Sequence, residues 1–111
     1  MKQDRKIFTT KSGGDVIRDL GVADSDGLLL KAEIAMKVVR IIEERGLTQV
    51  EAAALLGIRQ PKISALMNGK ISGFSVERLL HCLTKLGHDV TIRERKRRNA
   101  QEGRLQFIAD A

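Results

Sequence analysis

The stretch that most limits what this chain can become runs from Thr48 to Lys70, TQVEAAALLGIRQPKISALMNGK. Thr48 and Glu51 have the spacing of a capping box, in which a hydroxyl and a carboxylate each satisfy a backbone N–H at a helix start. The Ala and Leu run after them has high helix propensity. Gly57 ends it, since the left-handed conformation of a helix stop costs glycine little. Pro61 suits the first turn of a second helix, where its missing N–H would have no partner. That makes Gln60 the expected N-cap and Pro61 the expected first residue. Ile63, Leu66 and Met67 fall at i, i+3 and i+4 and form the buried face, leaving Gln60, Lys62, Ser64 and Ala65 outside. Two short helices joined by so tight a turn have the form of a helix-turn-helix, whose second helix reads base edges in the major groove.

Charge agrees with that reading. The 111 residues carry a net +6, with pI near 9.9. Residues 1 to 46 hold nine Lys/Arg against eight Asp/Glu, and residues 47 to 111 hold eleven against six. The excess therefore lies with the motif and the C-terminal residues beyond it, as a polyanion partner requires. Aromatic residues make up 3%, with no Trp or Tyr, so recognition by stacking on single strands is poorly supported. Cys82 is the sole cysteine, which precludes an internal disulfide and fits a reducing, cytoplasmic setting. No apolar run approaches the ~20 residues of a membrane span, and no signal-peptide core is present.

The rest of the chain is read around the motif. Residues 1 to 26 are expected as a flexible segment, broken at Ser12-Gly13-Gly14 and at Asp24-Ser25-Asp26-Gly27, with at most a helical turn at Val16, Ile17 and Leu20. Asp24, Ser25 or Asp26 can cap a long helix from Leu28 to Arg45. Its Leu30, Ile34, Val38, Ile41 and Ile42 repeat at helical spacing, and Met36 and Val39 widen the apolar face toward a partner. A last helix is expected from Val76 to Leu86, capped by Ser75, with Phe74 and Leu79 as a hydrophobic staple. Its Leu79, Leu80, Leu83 and Leu86 face inward. Residues 88 to 95 alternate polar and apolar, the period of a strand. A lone strand leaves its backbone unpaired, so Val90 and Ile92 are expected to dimerise against a second copy. Residues 96 to 111 read as a basic tail, with Leu105, Phe107 and Ile108 unassigned.

Enzyme chemistry finds no footing, and neither a catalytic set, a metal site nor a cofactor is expected. His81 and Cys82 are helix neighbours pointing to different faces, a poor metal geometry. Cys82 reads as a small buried hydrophobe. The glycines lack the spacing and the Lys-Ser/Thr ending of a phosphate loop.

Within the motif, Gln49 can reach phosphate or brace Gln60. Gln60 offers a donor and an acceptor together, which suits adenine. Lys62 can reach guanine or phosphate, Ser64 is versatile, and Ala65 can meet a thymine methyl. Pro61 brings no donor to the base edges. Arg59 lies in the turn, and Asn68, Gly69 and Lys70 suit phosphate.

Thr48-Gln49, Ala53, Leu56-Gly57-Ile58, Gln60, Ile63-Ser64 and Asn68-Gly69-Lys70 together resemble the helix-turn-helix of the lambda-repressor-like (XRE) family. Gly69 to Ser75 and Leu86-Gly87-His88-Asp89-Val90 extend the resemblance to HigA-type antitoxins. The likeness spans roughly residues 28 to 93. It implies an all-α bundle of four to five helices with a short C-terminal β-strand, working as a homodimeric repressor on double-stranded operator DNA. It further implies the antitoxin of a type II toxin–antitoxin module, which neutralises a small mRNA-cleaving toxin and regulates its own operon. A regulator without a toxin partner is the alternative. A third reading is a helical interaction module that has lost DNA binding.

Overall fold

The computed structural model describes residues 25 to 110. The expectations for Val16, Ile17, Leu20 and Asp24 lie outside the described residues. Among the described residues four α-helices follow in order: α1 (Ser25–Glu44), α2 (Gln49–Leu56), α3 (Gln60–Met67) and α4 (Val76–Lys85), with a 3-10 turn at Arg98–Ala100. Helix α1 begins at Ser25, three residues before the expected start, so Ser25 and Asp26 are inside it rather than capping it.

The core is wholly apolar among the described residues. Leu30, Ile34, Val38, Ile41 and Ile42 of α1 are buried, as their spacing requires, together with Ala52, Leu56, Ile58, Ile63, Leu66, Phe74, Leu79, Cys82, Leu83 and Leu86. Helix α1 packs chiefly on α4, and α2 on α3, so the motif helices rest as a pair against a brace. Met36 stays 64% exposed, and Leu28 and Leu29 about as much, so α1 carries apolar surface that the bundle does not cover. Beside it, Ala32, Met36 and Val39 with Leu66, Met67 and Ile71 line an open groove between α1 and the end of α3.

The four helices end in one way. Gly46, Gly57, Gly69 and Gly87 all take positive φ. The next residue's N–H returns to a carbonyl five positions back: Leu47 to Ile42, Ile58 to Ala53, Lys70 to Ala65 and His88 to Leu83, at 2.8 to 3.1 Å. This 6→1 closure is the Schellman motif, and it satisfies carbonyls that a helix end otherwise leaves unpaired. Two cations reinforce it. Lys85 Nζ donates to the Leu56 carbonyl at the end of α2 (3.3 Å), and Arg45 Nη1 donates to the Leu86 carbonyl at the end of α4 (3.2 Å). Positive charge at a helix C-terminus is favoured by the macrodipole.

Two expectations are corrected. The strand at 88–95 is not formed: residues 88 to 97 have no regular secondary structure, and no strand occurs among the described residues. A strand exists only as part of a ladder, and one chain offers this segment no partner. The start of the second motif helix also moves. Arg59, not Gln60, is the N-cap, Gln60 is helical, and Pro61 sits in the first turn. Both of the first two helical positions lack an intrahelical partner for their N–H, so proline is tolerated at either.

The C-terminal stretch is held to the bundle. Val90 and Phe107 are partly buried against the core. Lys37 Nζ donates to the Asp110 carbonyl at 2.9 Å, joining α1 to the chain 73 residues on. Leu105 and Ile108, on either side of Phe107, remain exposed.

Candidate nucleic-acid interface

The two motif helices are set by local chemistry. Thr48 Oγ1 accepts from the Glu51 N–H (3.1 Å), and Glu51 Oε1 accepts from the Thr48 N–H (2.8 Å), which completes the capping box. Gly57, at φ 66°, turns the chain out of α2. The peptide re-enters a helix three residues later at Gln60. Buried Ile63 and Leu66 then fix the rotation of α3, because both must face the core.

That rotation decides what α3 presents. Arg59, Gln60 and Pro61 are exposed, while Lys62, Ser64 and Ala65 are half-exposed. Residues 52 to 76 contain Arg59, Lys62 and Lys70 and no carboxylate, so the motif from mid-α2 to the start of α4 is uniformly cationic. Asn68 and Lys70 are exposed just past α3. Gln49 is half-buried at the first position of α2. It makes no side-chain hydrogen bond to Gln60, so the expected brace is not formed among the described residues. Val90 and Ile92 belong to the stretch after α4, where Val90 is half-buried against the core and Ile92 is 79% exposed.

Lys62 is less free than its position suggests. Its Nζ stands 5.4 Å from the centre of the Phe74 ring, on which Arg78 also sits at 6.0 Å. A side chain at Gly73 would meet the Lys62 stem, its Cβ coming within 3.2 Å of Cε. The loop after α3 thus cradles Lys62 through a cation–π contact. Neither the Phe74 seat nor the use of Arg45 and Lys85 as helix caps is visible in spacing alone. A basic side chain that caps another helix's end has no linear signature.

The remaining titratable groups give no second centre. Cys82 is buried, and desolvation pushes its thiol pKa above the ordinary value despite the opposing pull of Arg78 and Lys85. His81 is exposed, with Nε2 3.9 Å from Glu77 Oε2. No group of three His, Cys, Asp or Glu among the described residues could hold a metal. No described helix is long and apolar enough to cross a membrane.

Known proteins agree with this arrangement. A helix-turn-helix domain family matches residues 16–95. A solved structure assigned by name to the XRE family of transcriptional regulators is 41% identical, with TM-score 0.74, and the match covers 78% of this chain and 99% of that one. No curated protein matches the chain. The motif, its exposed cationic face and these matches place the chain in the XRE family of helix-turn-helix, DNA-binding transcriptional regulators.

Proposed function

We propose that this regulator is a sequence-specific repressor that binds a two-fold operator as a homodimer. The observation that carries the reading is the N-terminal half of α3: Gln60, Pro61, Lys62, Ser64 and Ala65 reach the surface while Ile63 and Leu66 anchor the helix from behind. Gln60 is the base-reading side chain, with its amide suited to adenine. Lys62, seated on Phe74, takes guanine or phosphate in this reading. Arg59, Asn68, Lys70 and Gln49 hold the backbone of the duplex. One such helix makes few base contacts, so a dimer spanning half-sites one helical turn apart supplies the rest.

Exposed Ile92 and half-buried Val90 support a dimer contact through residues 88 to 95. Repression takes place in the cytoplasm, on the nucleoid.

A finer reading makes the protein the antitoxin of a type II module. Its supports are the likeness of Gly69 to Ser75 and Leu86 to Val90 to HigA-type antitoxins, and the apolar Leu28, Leu29 and Met36 left in water on α1, which suit a protein partner. A regulator with no toxin differs in one respect: it retains no product of a neighbouring gene. Gel shift with the gene's own upstream DNA tests the repressor, and sedimentation tests the dimer. Co-expression with the adjacent reading frames, followed by mass spectrometry of the proteins retained, separates the antitoxin from the lone regulator. A failure to retard upstream DNA in preference to a scrambled duplex rejects the repressor.

A further inference from the structure

Arg93, Arg95, Lys96, Arg97, Arg98 and Arg104 fall within twelve residues, opposed only by Glu94 and Glu102. All six are exposed except Arg97, which is half-buried and donates from Nη2 to Gln101 Oε1 at 3.1 Å. None of the six makes an ion pair with a described residue. Among the described residues nothing neutralises this +4 segment.

The segment is not a loose end. Val90 packs against the core before it and Phe107 after it, and the Lys37–Asp110 hydrogen bond closes the return. Between these anchors the 3-10 turn at Arg98–Ala100, with Asn99 in the left-handed region at φ 61°, bends the chain. The cations thus sit on a loop tied at both ends, and tethering lowers the entropy lost when such a loop is ordered on a ligand. The anchor on α1 is Lys37.

Residues 91 to 106 contain no aromatic side chain, so bases of a single strand would find nothing to stack on. Guanidinium groups in excess, with no stacking platform, suit the phosphates of a duplex. We infer that the loop from Arg93 to Arg104 is a second DNA-contacting element, which takes duplex phosphates without reading sequence. It rests on the DNA-binding reading above and adds a salt-dependent, sequence-blind term to it.

The test compares K96Q/R97Q/R98Q/R104Q, and separately K96E/R98E, with the wild-type chain on two labelled duplexes, the gene's upstream DNA and a scrambled version. The variants change surface charge and leave Phe107 in place, and circular dichroism verifies the fold. The loop variants weaken binding to both duplexes by the same factor, on the order of tenfold for the four-site variant. The slope of log K against log salt becomes shallower by about 0.9 for each phosphate that the loop no longer neutralises. Preference for the upstream duplex over the scrambled one stays as in the wild type. Unchanged affinity and slope on both duplexes would overturn the inference and assign the charge to another partner, such as an acidic protein surface. A change in preference without a change in slope would overturn it as well. A wild-type chain with no preference between the duplexes, but a slope that drops in the loop variants, sinks the operator reading and leaves the loop standing.

Discussion

Between Gln49 and Gly87 the chain is punctuated by its immediate neighbours, whereas beyond His88 it is held by contacts made far away in sequence. Helix α2 is opened by Thr48 and Glu51 and closed by Gly57, and α4 is opened by Ser75, whose Oγ accepts from the Arg78 N–H at 3.0 Å. The C-terminal stretch has only the short turn at Arg98–Ala100 and the Arg97–Gln101 contact of that kind. Phe107 lodges against a core assembled by other segments, and its neighbour Asp110 is held by a lysine of α1. Local punctuation produces rigid, well-oriented helices that can carry a binding face. Remote anchoring produces a loop whose ends are fixed and whose middle remains available.

That contrast can be broken in stages. The largest effect is expected at the centre of the bundle, where Ile63 is fully buried at 0% exposure. Ile63→Ala should cost about 2–5 kcal/mol, the range for truncating a buried aliphatic, read as a lowered urea midpoint. Phe107→Ala should cost less, roughly 1–2 kcal/mol, because the ring is only partly buried and a fully buried one is worth about 3–5. Equal costs at the two positions would mean that the two regions form one core, and the contrast would fail. Thr48→Ala should cost about 1 kcal/mol by removing the cap of α2. A neutral result there would show that tertiary packing, not local chemistry, sets the helix start. The smallest effect concerns reactivity. Buried Cys82, with its thiol pKa raised, should resist alkylation at neutral pH in the native protein and react promptly once unfolded. Fast native labelling would show that α4 opens.

The same contrast explains how much of the molecule is legible in the chain alone. Caps, glycine stops and the i, i+3, i+4 face of Ile63, Leu66 and Met67 are written within a few residues of where they act, so both motif helices can be read directly. The start of α3 differs from its expected place by one residue because Pro61 fits the first or the second helical position and Arg59 offers no side-chain cap. Alternation predicts a strand at 88–95, but alternation states only which face is apolar, not whether a partner is present. Phe107 has no assignment from sequence, since its site is built from residues remote along the chain. Periodicity places Lys62 wholly outward because the Phe74 ring that receives it lies across a turn. The exposed face of α3 does emerge from periodicity, and the matching family and solved structure agree with the helix-turn-helix it belongs to.

The central claim is that the outer side of α3 enters a duplex groove. The most direct measurement is the ratio of affinities for upstream and scrambled duplexes in Gln60→Ala/Lys62→Ala, against the wild-type chain at one salt concentration. The account predicts that most of the preference disappears, with a loss of about 1–3 kcal/mol for the amide contact, tenfold or more in the ratio. A double variant that keeps the wild-type ratio would contradict it.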